Sequence, residues 1–337
     1  MTLPDFEQLR RLGWEFRENK IFLAVNDLDL FTYLSPQPLT AQEIAQRLNL
    51  NARALEIVLD ALVSMKLLDK KDNHYSNQEI AEAYLVNGKK TYRGEIFKHL
   101  HQCREQWENL GQILRTGELP SERKFTIREE RRANRHFIWG MDNIACDRAQ
   151  LIAGMLDLST VGNMLDLGGG AATYSIAFVK KNPQLKAVVL DLPLTLEVAR
   201  ENIALNDLEK RISTTEGSFW EVGLGTGYDL VWISQIIHSL NESKCRELIQ
   251  KAAAALAPGG ALIIHDFILE DDHTRPFDAA LFSVHMLVVT EGGRSYSVNE
   301  IMGWLKEAGL SQVQRIEIDA HSGMVRGTVP VAQAGST

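Results

Sequence analysis

Cysteine is scarce in this chain: three residues in 337, Cys103, Cys146 and Cys245, widely spaced and odd in number. That argues against a disulfide framework and against a CxxC metal knuckle. Long apolar runs are missing too, since none approaches the roughly 20 residues of a membrane span. The opening MTLPDFEQLRRLGWEF is acidic and amphipathic and lacks the apolar core of a signal peptide, so a cytoplasmic location is expected. Positive charge is not in excess. Lys plus Arg is 36 against 44 for Asp plus Glu, and the net −8 weighs against nucleic acid as a partner. Internal repeats and low-complexity tracts are absent. What is present, 45% hydrophobic and 24% charged residues, suits a soluble globular protein. At about 150 residues per domain the length suggests two domains.

Two textures divide the chain. Residues 1–154 read as mainly helical. From Val161 onward, short apolar runs alternate with helical stretches: NMLDL (163–167), KAVVLD (186–191), ISTTE (212–216), DLVWIS (229–234) and ALIIHD (261–266). This is the signature of βαβ units and a parallel sheet. QVQRIEI (312–318) and GMVRGTV (323–329) follow one another closely, as an antiparallel terminal hairpin would. The last residues, 331–337, read as a frayed tail. In the first part, TAQEIAQRLNL offers a capping box, Thr40 with Glu43. ARALEIVLDALVSMKLL places Leu55, Val58, Leu59, Leu62, Val63 and Leu67 on one helical stripe, and DKKDNHYSNQ supplies a turn with short strands. The pattern is a winged helix. Its charges between Thr40 and Lys66 cancel, so packing or dimerisation is expected of it rather than DNA reading.

The segment MLDLGGGAATYSIAF ends a strand at Asp166, turns through Gly168, Gly169 and Gly170, and starts a helix near Ala172. Glycines let a ligand approach the backbone closely, and a helix start presents unpaired N–H groups. A dinucleotide fingerprint would need a third glycine where Thr173 stands. A carboxylate at Asp166 would repel phosphate and suits a positively charged ligand. Asp191, at the end of the next strand, can accept both ribose hydroxyls. S-adenosylmethionine, with an ammonium and a sulfonium and no phosphate, is therefore preferred over a nicotinamide dinucleotide.

Motifs in the right order carry a wider likeness: DLFTYL, TAQEIAQRL, LVSMKLL, MLDLGGGAATYSIAF, VVLDLP, GSFWE, YDLVWISQIIHSLNESKCRELI, LAPGGALIIHDFIL and EGGRSYSVNEIMGWLKEAGL. From Ile21 to Arg326 the chain resembles the class I S-adenosylmethionine-dependent methyltransferases. It is most similar to the plant-type small-molecule O-methyltransferases and their bacterial relatives. The resemblance implies a Rossmann-like α/β domain (155–337) behind a mainly α winged-helix dimerisation and substrate-lid domain (1–154). It also implies a homodimer, S-adenosylmethionine as donor with S-adenosylhomocysteine as product, no metal, and a small hydrophobic hydroxylated acceptor of aromatic, polyketide or isoprenoid type. The cofactor contacts it implies fall on Asp166, Gly168, Gly170, Asp191, the following Leu192, Ser218, Phe219 and Ser234. Ser218 stands where the family has an acid, and Ser234 where it commonly has a lysine.

The family's base is a histidine, matched here by His238 in IIHSL. Histidine suits deprotonation of a phenol near neutral pH. The two acids that flank this base in plant-type members are missing, one at Ser283 and one in the GMVRG hairpin. His238 is thus expected to work without them, with His285 or Glu291 as substitutes. Phe137, Met141, His285 and Met286 match acceptor-lining positions. O-methylation is the main expectation. C-methylation of a tetrapyrrole or polyketide, with His238 only positioning the acceptor, is the alternative, and a non-catalytic cofactor-binding or DNA-binding winged-helix protein stands behind it. His99-x-His101 and the group His265, Asp266, Asp271, Asp272, His273 are weighed as metal ligands and set aside, because no fixed geometry joins them.

Overall fold

A computed structural model describes residues 5–120, 126–319 and 322–331, and most of the expected tail lies outside them. The chain divides into two compact units, Met1–Gln102 and Cys103–Thr337.

The first unit begins with α1 (Phe6–Trp14), α2 (Phe16–Asp27) and α3 (Leu30–Leu34). Next come β1 (Leu39–Thr40), α4 (Ala41–Leu48), α5 (Ala52–Ser64), β2 (Leu68–Lys71), β3 (His74–Asn77) and α6 (Glu79–Tyr84), and α7 (Gly94–Glu108) runs across the division. The capping box holds: the Thr40 hydroxyl accepts from the Glu43 N–H while Glu43 accepts from the Thr40 N–H. Asn51 caps α5 by accepting from the Ala54 N–H at 2.9 Å. Leu55, Leu59 and Leu62 of the expected stripe are buried, with Val58, Val63 and Leu67 packed beside them against Ile44, Leu68 and Tyr75. The wing is a hairpin whose two turn residues, Asp72 and Asn73, both have positive φ, as a two-residue turn between twisted strands requires. Asp60 ties the wing to α5, accepting from the Tyr75 hydroxyl and from Lys70.

The second unit opens with α8 (Leu110–Thr116) and the long α9 (Ile127–Met155). It continues as β4 (Asn163–Leu167), α10 (Thr173–Lys181), β5 (Lys186–Asp191), α11 (Pro193–Leu205), β6 (Ile212–Glu216), β7 (Tyr228–Ser234), a 3-10 turn (Ile237–Ser239), α12 (Glu242–Ala254) and β8 (Leu256–Asp266). α13 (Phe277–Val289), α14 (Val298–Glu307), β9 (Ser311–Glu317) and β10 (Gly323–Thr328) complete it. Among the described residues one sheet runs β6-β5-β4-β7-β8-β10-β9. Its pairs from β6 to β8 are parallel, and β10 is antiparallel to both β8 and β9. The mixed α/β sheet and terminal hairpin are as expected.

Strand residues alternate between faces, and that parity builds two cores. Met164, Val189, Trp232 and Ile263 pack with α9, α10 and α11. Leu165, Val231, Ile233, Leu262 and Ile264 pack with α12 and α14 on the other face. Ala149, Ile152 and Ala153 place α9 in the first of these cores. Residues 103–154, grouped with the N-terminal part on their helical texture, therefore lie in the second unit.

Candidate active site

The carboxyl ends of β4, β5, β6 and β7 supply the cofactor and base candidates singled out from the sequence. After β4 the chain turns through Gly168 and Gly170, both with positive φ, into α10. A Cβ on Gly168 would collide with the end of the Ile236 side chain, which would have to shift, and the positive φ there is one that other residues rarely adopt. Asp191 braces the turn. One of its oxygens accepts from the Gly170 N–H at 2.9 Å and the other from the Leu192 N–H at 2.7 Å. Burial pushes its carboxyl above the ordinary value. Thr195 adds a side-chain hydrogen bond to the same carboxylate, whose acceptor sites are not all used, while Leu192 is exposed.

Asp166 sits differently from the open ligand-facing carboxylate expected of it. It shares parity with Met164, so it lies on the α10 side beneath the loop, 1% exposed, and accepts from the Ser175 hydroxyl at 2.6 Å. Burial pushes it up to about 7. Ser218 follows β6, and its hydroxyl accepts from the Trp220 N–H at 3.2 Å. Phe219 packs on Trp220 with ring centroids 4.8 Å apart, and its carbonyl accepts from Lys251.

Parity on β7 and β8 then separates two polar groups. Ser234 and His265 fall on the side of Trp232 and Tyr174. The Ser234 hydroxyl meets His265 Nδ1 at 2.8 Å, and His265 Nε2 meets the Ser322 hydroxyl at 3.1 Å. Burial lowers His265 to about 4, so the ring is neutral near pH 7. Asp266, one residue on, falls on the opposite face. There His238, on the 3-10 turn, brings Nδ1 to 2.6 Å from Asp266 Oδ1, and the same oxygen accepts from the Phe267 N–H at 2.8 Å. Both residues are buried, His238 at 8% exposure and Asp266 at 2%. The expectation that His238 lacks an acidic partner is corrected here. The acid comes from β8, a strand neighbouring the one that precedes the histidine, and not from Ser283, whose hydroxyl accepts from the Ser295 N–H.

Aromatic rings surround this pair. Phe282 of α13 stands edge-on to His238 at 4.8 Å between centroids and stacks on Phe267 at 4.1 Å. His285 follows at 5.7 Å from Phe282, and the Trp107 indole N–H donates to its Nδ1 at 3.2 Å. Burial, and secondarily the nearby His238, lower His285. Met286 is buried beside it on α13, whereas Phe137 and Met141 lie one turn apart on α9, exposed and half-buried. From the sequence Asp266 was weighed only as a metal ligand, and Phe267, Phe282 and Trp107 were not singled out. The parity of ALIIHD, which puts Asp266 with Leu262 and Ile264, was the available signal for the first.

The weighed metal group disperses. His265 and Asp266 face opposite ways, Asp271 accepts from Asn299, and Asp272 accepts from Thr274 and Arg275. Among the described residues no three His, Cys, Asp or Glu side chains converge to hold a metal, and no helix is long and apolar enough to cross a membrane.

The glycine turn and the Asp191 carboxylate together fit S-adenosylmethionine: a carboxylate with lone pairs to spare suits ribose hydroxyls, and an anionic strand end suits a sulfonium better than a diphosphate. Comparison with known proteins agrees. Residues 117–311 match the family model of an O-methyltransferase domain, and residues 13–87 match that of an O-methyltransferase dimerisation domain. The chain is 33% identical over 298 residues to a 3-hydroxy-5-methyl-1-naphthoate 3-O-methyltransferase of Streptomyces sahachiroi, covering 87% of this chain and 86% of that protein. The structure of an O-methyltransferase family protein from Burkholderia thailandensis superimposes with a TM-score of 0.87 at 26% identity, over 98% of this chain and 100% of that one. Human N-acetylserotonin methyltransferase in complex with S-adenosylmethionine shares the fold, with a TM-score of 0.87 at 24% identity over 98% and 100% of the two chains.

Proposed function

The chain belongs to the S-adenosylmethionine-dependent O-methyltransferases, and from that premise we propose that it methylates a hydroxyl of a planar aromatic or polyketide small molecule with His238 as general base. The observation that carries this reading is the His238 ring itself. It is held at the end of β7 by Asp266 and walled by Phe282, Phe267 and His285. The naphthoate specificity named for the Streptomyces relative is of the same chemical kind.

When bound, S-adenosylmethionine supplies an electrophilic methyl group on a sulfonium leaving group. The residues proposed to hold it are Gly168 and Gly170 at the turn, Asp191 with Leu192 at the ribose, Ser218 and Phe219 at the adenine, and Ser234 at the end of β7. Asp166 supports the turn from below through Ser175. The aromatic rings exclude water and orient the acceptor, which is where most of the rate enhancement for such a transfer arises. His238 takes the hydroxyl proton as the acceptor oxygen gains its methyl group. Phe137, Met141 and Met286 are proposed as further acceptor-lining positions. We also propose that the chain is a cytoplasmic homodimer joined through its N-terminal unit, where the dimerisation model matches.

The test is a mass-shift screen with S-adenosylmethionine and a panel of phenols, naphthols, quinones, hydroxycarotenoids and porphyrins. Wild type and His238→Ala run side by side, with S-adenosylhomocysteine release as the check. A methyl adduct that falls by about 10²-fold or more in the variant supports O-methylation by general base. An adduct that persists at wild-type rate removes His238 as the base and turns the assignment to methylation of carbon.

A further inference from the structure

We infer that Asn202 and Asp142 are positioning residues of the cofactor site, because they hold Ala172 of the glycine turn in the left-handed region; this rests on reading that turn as the S-adenosylmethionine site. Gly168, Gly170 and Ala172 have φ of 67°, 56° and 63°. The two glycines adopt such angles freely. Ala172 does not, because its Cβ crowds the following carbonyl, and a residue so placed persists only where its surroundings over-determine it. It is also the N-cap of α10 and lends the helix no side-chain bond, so the helix start does not offset the strain.

The chain is held on both sides of Ala172. Before it, the Ala171 carbonyl accepts from the side-chain amide of Asn202, a buried bond of 2.9 Å reaching across from α11. After it, the Thr173 hydroxyl donates to Asp142 Oδ1 of α9 at 2.7 Å. Asn202 donates to that same oxygen at 3.3 Å and so joins the two holds. Lys180 fixes the direction of these bonds. It can only donate, and it donates to Asn206 Oδ1, so the Asn206 amide nitrogen faces Asn202 Oδ1 at 3.2 Å. With its oxygen occupied, Asn202 turns both amide hydrogens toward Ala171 and Asp142. Ile138 of α9 and Val198 of α11 pack with Ala171 and close the same gap with apolar surface. Released from these contacts, Ala172 relaxes toward ordinary φ and the path from Gly168 to Thr173 changes with it. Gly170, whose N–H donates to Asp191, is then displaced. The apparent cofactor affinity falls by the fraction of chains that still hold the competent turn.

The experiment measures S-adenosylhomocysteine affinity by calorimetry in the full-length chain, with the thermal unfolding of each unliganded variant beside it. Asn202→Ala and Asp142→Ala each weaken binding by about tenfold, and Thr173→Val by about threefold. Asp142→Asn, which keeps an oxygen for Thr173, loses less than Asp142→Ala. The deciding variant adds Ala172→Gly to Asn202→Ala. Glycine takes the left-handed region without crowding, so it recovers about threefold or more of the lost affinity while the unfolding midpoint stays low. Ala171→Gly, at a residue outside that region, recovers none. With an acceptor from the screen, the KM for S-adenosylmethionine rises in Asn202→Ala, while kcat and acceptor KM stay within about twofold. Affinity that follows the unfolding midpoint and ignores Ala172→Gly overturns the proposal and leaves the network a structural role. Affinity within about twofold of wild type in Asn202→Ala and Thr173→Val also overturns it. If Gly168→Ala weakens binding in that same series, the cofactor reading stands. If Gly168→Ala binds as wild type too, the cofactor lies elsewhere and the proposal falls with that reading. If Asn202→Ala does not fold, Thr173→Val with and without Ala172→Gly makes the same comparison.

Discussion

Asp166 and His265 are both buried and both displaced from their ordinary values, in ways that make opposite demands on pH. Asp166 sits at about 7 in the folded chain against 3.8 in the unfolded one, so its contribution is fully present below pH 3.8 and is lost as pH rises to about 7. His265 sits at about 4 against 6.5, so its contribution is present above pH 6.5 and is lost as pH falls to about 4. The two slopes oppose each other between about pH 4 and 6.5. Asp166→Asn, which keeps an acceptor for Ser175, should raise stability at pH 8 by at most roughly 4 kcal/mol and leave it unchanged near pH 3.5. His265→Gln should flatten the acid limb instead. Urea denaturation across pH 3.5–8.5 measures both, and parallel curves for wild type and Asp166→Asn would refute the first. Gly168→Ala forces a side chain into the left-handed region, at about 1–2 kcal/mol, and against Ile236. Calorimetry should show S-adenosylhomocysteine affinity reduced by about tenfold or more, with part of the loss recovered when Ile236→Val removes the clashing methyl; unchanged affinity would place the cofactor elsewhere. At this scale the sequence was read unevenly. Residue types and spacing pointed to the glycine turn and Asp191, and the family resemblance pointed to His238. The partner of His238 lies 28 residues along the chain, and strand parity decides its direction, which a motif does not display.

The elements were far more legible. The runs 163–167, 186–191 and 212–216 form strands with those bounds, because alternation between two apolar cores leaves a local trace in the sequence. β8 is longer than expected, starting at Leu256 rather than Ala261, but Pro258, Gly259 and Gly260 bulge out between the two parts of it, Leu256 standing opposite Tyr228 and Ala261 opposite Leu230, with Gly259 at positive φ. Capping is similarly readable, and it has an energetic value. α14 begins at a buried capping box, with the Ser297 hydroxyl accepting from the Glu300 N–H and Glu300 accepting from the Ser297 N–H. The backbone of this cap also meets Leu269, a short way beyond the end of β8. Ser297→Ala should cost about 1–2 kcal/mol by chemical denaturation, whereas Asn51→Ala at the exposed start of α5 should fall nearer the lower figure. Equal losses at the two sites would show that burial of the cap adds nothing.

For the whole molecule, the winged-helix pattern and the change of texture announced two parts, but texture alone put the division near residue 154. α9 is helical in texture yet belongs with the sheet, because Ala149, Ile152 and Ala153 are buried against it, and such long-range packing has no local signature. The N-terminal unit also exposes what a lone subunit would hide. Phe6, Leu9 and Leu12, each at least 64% exposed, repeat every three residues along α1. Light scattering should find twice the mass of 37.8 kDa at micromolar concentration. Replacing these three residues by serine should shift the species toward the monomer, and a wild-type monomer would refute the subunit contact.

The histidine's charged neighbour comes from a central strand, whereas the ring standing edge-on to it comes from α13, a helix outside the sheet. With His238 as the proposed base, a lineage can therefore redraw the proposed acceptor wall, trading Phe282 or its neighbours for larger, smaller or flatter groups, without disturbing the histidine and its carboxylate. An arrangement that drew its acid from the same helix would change both at once. Divergence toward new acceptors, natural or directed, should on this scaffold accumulate along α13 while the end of β8 stays as it is.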